Sequence, residues 1–207
     1  MKSNSIIEKR KDKIPFEHYK NEFQKLDPLD IANKSGIKYD EANNVFKVNL
    51  LNDEFLVEYP SGEILNNANV KYPIKTLILR YLMIRKNITP GNKMINYREV
   101  PDGNLYYSNF YGRCIIRLCK TFSKKFDRLL KSMELLKAEK IPKGDIGYKI
   151  EFLPNIFVYI ILWNGDEEFP PSAQILFSDN IPFYFTAEDL AVVGDIVNDK
   201  LAKLAFS

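Results

Sequence analysis

The chain has 207 residues and a mass of 24.1 kDa, enough to bury a sizeable core as one domain, or as one domain with a small appendage. Hydrophobic residues make up 45% and charged residues 28%, with 9 Gly and 11 Pro, which excludes disordered, collagen-like and low-complexity classes. The formal net charge is +3, and one histidine and two cysteines leave too few ligands for a structural zinc site, a four-cysteine cluster or any two-histidine centre.

The first 14 residues are polar and charged and read as a frayed or helical arm, with the domain proper over residues 15–207. Phe16, Tyr19, Phe23 and Leu26 then follow Pro15 at helical spacing. Asp27 is placed to cap a second helix, with Pro28 at its first position and Gly36 as its stop. Two alternating runs, VFKVNLL and DEFLVEYP, read as strands joined near Asn52-Asp53, and Tyr59–Glu63 is a turn leading toward a third short strand. Ile74, Leu77, Ile78, Tyr81, Leu82 and Met83 give a wide apolar face to a helix that starts at Pro73.

MINYREVPDGNLYY reads as irregular or extended, with a turn at Pro101-Asp102-Gly103. Phe110, Cys114, Ile115, Leu118, Cys119 and Phe122 form one helical stripe from about Ser108, and another helix covers about Lys125–Lys140. GYKIEF, IFVYIILW and AQILFSD read as strands, the middle one covered on both faces. Thr186 and Asp189 form a capping box for a final helix buried through Leu190, Val193, Val197, Leu201 and Leu204. Elements in this order, without strict βαβ alternation, predict an α+β fold with a largely antiparallel or mixed sheet and helices packed on it.

Charge is unevenly placed. Residues 71–140 carry 16 basic and 5 acidic side chains, a net +11, whereas residues 141–207 carry 4 and 10, a net −6. Either the basic middle is a polyanion surface, or it neutralises the acidic end by packing beside it. A stripe of Arg113, Arg117, Lys120, Lys124, Arg128 and Lys131 has the spacing of one helix face, yet lacks the interleaved aromatics that stack bases.

The N-terminus has no apolar core of a signal peptide, and the longest uncharged run, Phe152 to Gly165, is too short to span a bilayer. A cytoplasmic protein is expected. Cys114 and Cys119 would stand about 140° apart around a helix, so reduced thiols are expected rather than a disulfide. The glycines form neither a dinucleotide fingerprint nor a phosphate loop. No GxSxG is present, and His18 has no second imidazole to work with.

Two stretches concentrate chemistry. In Tyr97-Arg98-Glu99 through Tyr106-Tyr107, Arg98 offers a planar fork for a carboxylate or phosphate, and the tyrosines offer pocket walls. Alternatively Arg98 pairs with a chain carboxylate such as Asp166 or Glu168. The other stretch, Trp163 through Asp166-Glu167-Glu168-Phe169, sets three carboxylates after an apolar strand. These could hold a divalent cation or act as acid and base, or form a solvated turn in which Asp166 bonds local amides.

ILRYLMIRKNITPGNKMINYREVPDGNLYYSNFYGRCIIRLCKTF resembles the central signature of an uncharacterised domain family of unknown function from anaerobic bacteria and archaea. The pattern falls on Tyr81-Leu82, Gly91, Tyr97-Arg98-Glu99, Gly103, Tyr106-Tyr107 and Arg113. Leu153-Pro154, LWNGDEEFPPSAQILFSD and FTAEDLAVVGDIV extend the likeness over nearly the whole chain from residue 16. Some relatives look fused to iron–sulfur modules of the corrinoid iron–sulfur protein type, which implies a setting in anaerobic corrinoid or one-carbon metabolism. This chain has no such module.

The resulting expectation is an accessory or ligand-binding protein. Its pocket would draw on Tyr97, Arg98, Glu99, Tyr106, Tyr107, Arg113, Trp163, Asp166 and Glu168. A small-molecule ligand or a metabolic enzyme is the expected partner, with nucleic acid disfavoured and no membrane. Neither cofactor nor catalytic residue is assigned, and no resident metal is expected. The alternatives are a carboxylate enzyme, with or without Mg²⁺, and an anion- or nucleic-acid-binding interaction protein.

Overall fold

The computed structural model describes the backbone of residues 2–84 and 86–207, with side chains from residue 11 onward. The fold is α+β, and its strands make two antiparallel sheets, one in each of two compact units, residues 1–87 and 88–207.

The first unit opens with α1 (Lys2–Phe23). This helix runs through Pro15 rather than starting after it, forgoing the bond that a residue there would make to the carbonyl four residues back. The second helix, α2 (Pro28–Ser35), is built as its residues dictate. Asp27 Oδ1 accepts from the Asp30 amide at 2.9 Å, Pro28 fills the first position, and Gly36 ends the helix at φ +73°. Strands β1 (Tyr39–Asp40), β2 (Val45–Leu50) and β3 (Asp53–Glu58) form a three-stranded sheet in chain order.

The β2–β3 turn is Leu51-Asn52, one residue earlier than expected, with both residues at positive φ (49° and 63°). A leucine there costs about 1–2 kcal/mol. Leu51 is only 2% exposed, and burying it returns about 2–3 kcal/mol, so packing outweighs turn chemistry. Helix α3 (Tyr72–Leu82) buries Leu77, Ile78, Leu79, Tyr81 and Leu82, and packs against α1. Beside it, Glu63 accepts from Lys20 Nζ at 3.0 Å and from Lys75 Nζ at 2.8 Å.

In the second unit, β4 (Met94–Asn96), a 3-10 turn (Tyr97–Glu99) and α4 (Gly103–Phe110) occupy the stretch expected as irregular. Helix α4 passes without a break through a π-helical turn (Tyr111–Ile116) into α5 (Arg117–Phe122). Then come α6 (Phe126–Leu135), β5 (Glu139–Lys140), β6 (Ile146–Leu153), β7 (Ile156–Trp163), β8 (Ser172–Ser178) and α7 (Ala187–Phe206). Helix α6 ends sooner than expected, and Lys137 follows it at φ +53° before β5.

The five-stranded sheet has the order β4-β8-β7-β6-β5, antiparallel throughout. Ile156, Val158, Ile160 and Leu162 of β7 point to one face and are fully buried. Phe177 lies opposite Val158 on that face and meets Phe110 of α4, with ring centroids 5.9 Å apart. The other face carries Tyr159, Ile161 and Ile141, rimmed by half-buried Met94, Phe157, Trp163 and Leu176. Helix α7 is capped by Thr186, whose amide donates to Asp189 Oδ2 at 2.7 Å while Thr186 Oγ1 accepts from the Asp189 amide at 3.4 Å.

Candidate functional site

The Tyr97–Tyr107 stretch is fixed from below. Asn96 Oδ1 accepts from the Arg98 amide at 3.0 Å, and Glu99 Oε1 accepts from the Asn96 amide at 2.8 Å, a capping box around a single turn. Lys93 Nζ donates to Glu99 Oε2 at 2.8 Å. The backbone bond first, then Lys93, hold the Glu99 carboxyl below its ordinary range. Glu99 is therefore a clamp on the turn.

Tyr97 is fully buried. Its ring stacks on Phe110 at 4.1 Å and 11°, and its hydroxyl donates to the Ala187 carbonyl at 2.7 Å. Burial pushes that hydroxyl up to about 12. Gly103 starts α4 against this turn, where a Cβ would stand 2.0 Å from the Tyr97 carbonyl oxygen. With the turn and the helix pinned so closely, the next side chains have fixed directions.

Arg98 is exposed, and its guanidinium carbon lies 3.8 Å from the centroid of the half-buried Tyr107 ring. Tyr107 in turn neighbours Tyr111 at 5.8 Å and 31°. No carboxylate among the described residues pairs with Arg98; Glu99, its sequence neighbour, is engaged by Asn96 and Lys93. The result is a flat, donor-rich cation laid on an aromatic ladder at the surface.

The opposite flank of the α4–α5 helix faces α7. There Tyr106 meets Glu188, whose charge raises the tyrosine hydroxyl above its ordinary range. Arg113 Nε bonds Asp195, and Arg117 pairs with Asp195 at 3.7 Å and with Asp199 at 2.5 Å. The helices cross closely at Gly194, where a Cβ would stand 2.7 Å from Cys114 Sγ, and Asn198 Nδ2 donates to the Cys114 carbonyl in the π turn at 2.9 Å. So the first two residues of the basic stripe are neutralised by the acidic end of the chain. Arg128 instead donates to the Ala205 carbonyl at 3.2 Å and lies over Phe206, completing the C-terminus of α7.

Trp163, Asp166 and Glu168 lie elsewhere. The Trp163 ring belongs to the apolar cluster on the far face of the sheet, whereas Tyr97 packs through Phe110 and Phe177 on the near face. Asp166 Oδ1 accepts from the Glu168 amide at 2.9 Å and the Phe169 amide at 2.7 Å, and these bonds, Phe169 first, hold its carboxyl low. Asp166, Glu167 and Glu168 are all exposed, and Phe169 is 67% exposed.

This corner borders an open cleft of about 370 Å³ that Ser123 and Lys124 close from the other side. Cys119 Sγ meets the Pro171 carbonyl there at 3.3 Å. Tyr107 and Ser123 stand at opposite ends of one continuous helix, roughly 20 Å apart along its axis. Arg98 and Asp166 thus do not share a recess. Among the sequence-selected residues, Tyr97, Arg98, Glu99 and Tyr107 come together, Tyr106 and Arg113 lie on the opposite flank of the same helix, and Trp163, Asp166 and Glu168 form a separate corner.

Sequence reasoning missed the partners Asp195 and Asp199. Their spacing of four matches that of Arg113 and Arg117, and this pairing of spacings was the available signal. It also missed Tyr111 as the outer rung of the ladder. Of the nucleophiles, Cys114 is buried and its thiol is pushed up to about 12 by burial and then by Asp195, and burial also raises Cys119. Among the described residues no three carboxylate, thiol or imidazole groups converge as metal ligands, and no helix is long and apolar enough to cross a membrane.

A family model described as "Domain of unknown function (DUF3786)" matches residues 27–200, a span that takes in part of the first unit and most of the second. No curated protein and no solved structure matches the chain.

Proposed function

The chain belongs to the DUF3786 family, and we propose that it is a non-catalytic binding protein whose Arg98 guanidinium recognises an anionic group on its ligand. The observation that carries this reading is the position of Arg98: exposed, with its guanidinium carbon over the Tyr107 ring at 3.8 Å, on a turn pinned by Glu99, and without a carboxylate partner among the described residues. A guanidinium so placed has little mobility left to lose on binding, and its outer edge presents a fork of N–H donors from which carboxylates and phosphates accept.

The protonation states favour binding over chemistry. Asp166 is held ionised by backbone amides and is a poor proton donor near neutrality, and both thiols are raised away from the thiolate. The setting would be the anaerobic one-carbon metabolism suggested by the relatives with iron–sulfur modules, with a metabolic enzyme as the partner served.

The test is thermal melting in phosphate against chloride at matched ionic strength. Wild type should be stabilised by phosphate, Arg98→Ala should lose that stabilisation, and Arg98→Lys should keep only part of it because an ammonium cannot lie flat and bond as a fork. Equal stabilisation of wild type and Arg98→Ala would refute the reading.

A further inference from the structure

Gly112 poses a problem that the fold does not solve. It sits inside a helix, where glycine is less favourable than alanine. The other glycines of the paired helices have internal reasons: a Cβ would stand 2.0 Å from the Tyr97 carbonyl oxygen at Gly103 and 2.7 Å from Cys114 Sγ at Gly194. At Gly112 nothing lies within 4 Å of the Cβ position, and its φ is not in the left-handed region. The bare backbone therefore opens outward.

Gly112 is the residue next to Tyr111, the outer rung of the aromatic ladder, one step further around the helix. Tyr111 is 44% exposed, with Tyr107 as its inner neighbour at 5.8 Å and Arg98 on Tyr107 at 3.8 Å. Ser108, one turn before Gly112, is exposed and small, and Leu105 beyond it is 75% exposed. A cation thus stands at one end of the surface, a tyrosine with exposed area at the other, and a floor without side chains beside that tyrosine. From the Arg98 guanidinium carbon to the Tyr111 ring centroid is at most about 10 Å, the sum of the two centroid distances.

We infer that the ligand of this site is a planar aromatic ring bearing a carboxylate or phosphate, with the anion on Arg98 and the ring laid against Tyr111 over the bare backbone of Gly112. The inference rests on the anion reading of Arg98 and adds the class of group attached to the anion. The ring gains stacking area on Tyr111, and the absent Cβ lets it approach the helix to contact distance. An anion alone would use Arg98 and leave Gly112 without a role.

Isothermal titration of the full chain with phenyl phosphate and with inorganic phosphate tests both levels separately. Wild type should bind phenyl phosphate about tenfold more tightly than phosphate, the gain of one stacked ring. Gly112→Leu should remove that gain while leaving phosphate affinity within about twofold, since the new side chain fills only the ring's space. Gly112→Ala should melt at or above the wild-type temperature, which shows that the helix accepts a side chain there. Equal affinities for the two probes in wild type would overturn the ring and leave the anion reading standing, whereas binding of neither probe would remove both. A ring advantage that survives Gly112→Leu would place the ring elsewhere and overturn the inference.

Discussion

Replacing Tyr97 by phenylalanine removes a single oxygen from the most constrained point of the second unit. The ring, stacked on Phe110 at 4.1 Å, has no reason to move, so no cavity opens. What is lost is the 2.7 Å bond from the hydroxyl to the Ala187 carbonyl, worth about 1 kcal/mol near neutral pH, or about 3 °C of melting temperature for a chain of this size. The pH dependence makes the prediction sharper. Burial raises the folded hydroxyl from the ordinary 10.0 to about 12, so above pH 10 the unfolded chain releases a proton that the folded chain retains.

Stability from this group is therefore complete below pH 10 and falls as pH rises toward 12, by about 1 kcal/mol at pH 11. Urea unfolding of wild type and Tyr97→Phe at pH 8 and pH 11 reads the difference directly, because every other titrating tyrosine is common to both. The wild-type advantage should be about 1 kcal/mol at pH 8 and near zero at pH 11. An advantage absent at pH 8, or unchanged at pH 11, would refute the assigned burial and bond.

Gly103→Ala should destabilise by at least about 2 kcal/mol in the same assay, because its Cβ meets a backbone oxygen at 2.0 Å and the modest helix-propensity gain of alanine cannot offset the overlap. At Glu63, burial works to raise the carboxyl but the bonds from Lys75 and Lys20 outweigh it, so the folded value is lowered from 4.5. Its contribution is present above pH 4.5 and lost as pH falls, and Glu63→Gln should flatten the melting-temperature drop between pH 7 and pH 3 by an amount equivalent to about 1 kcal/mol or less. Asp166→Ala should leave the melting temperature unchanged while speeding hydrogen exchange of the Glu168 and Phe169 amides about tenfold, since the carboxylate bonds only its own turn.

Much of the secondary structure was legible where local chemistry and burial agree. Asp27, Pro28 and Gly36 bound α2 as their types require, and Thr186 with Asp189 starts α7. The strands β6, β7 and β8 follow from runs of apolar residues with no competing helical period. Elsewhere tertiary contact overrode local preference. Pro15 lies inside a helix whose following turns are held by buried Phe16 and Phe23, and Leu51 adopts a turn conformation suited to glycine or asparagine because its side chain is buried.

Helix α4 begins at Gly103, before the apolar stripe, because its start is fixed by close approach to the Tyr97 turn, a contact that periodicity does not encode. The same limit applies to the site. Composition and motif singled out Arg98 and the tyrosines, but which of them point inward depends on distant partners. Tyr97 is buried against Phe110 and Ala187, the exposed Tyr106 is engaged by Glu188 on the α7 side, and Arg98, Tyr107 and Tyr111 form the surface on the other side. The acidic corner drew notice through three adjacent carboxylates, yet Asp166 is engaged by its own turn and stands at the far end of the helix.

The most direct measurement of the anion claim is the side-chain Nε–H resonance of Arg98 in a nuclear magnetic resonance titration with phenyl phosphate, assigned by its disappearance in Arg98→Lys. A guanidinium that binds the anion should show a saturable shift of this resonance, with an apparent affinity equal to that from calorimetry. A resonance that stays fixed while calorimetry reports binding would contradict the account, since the anion would then be held by other groups.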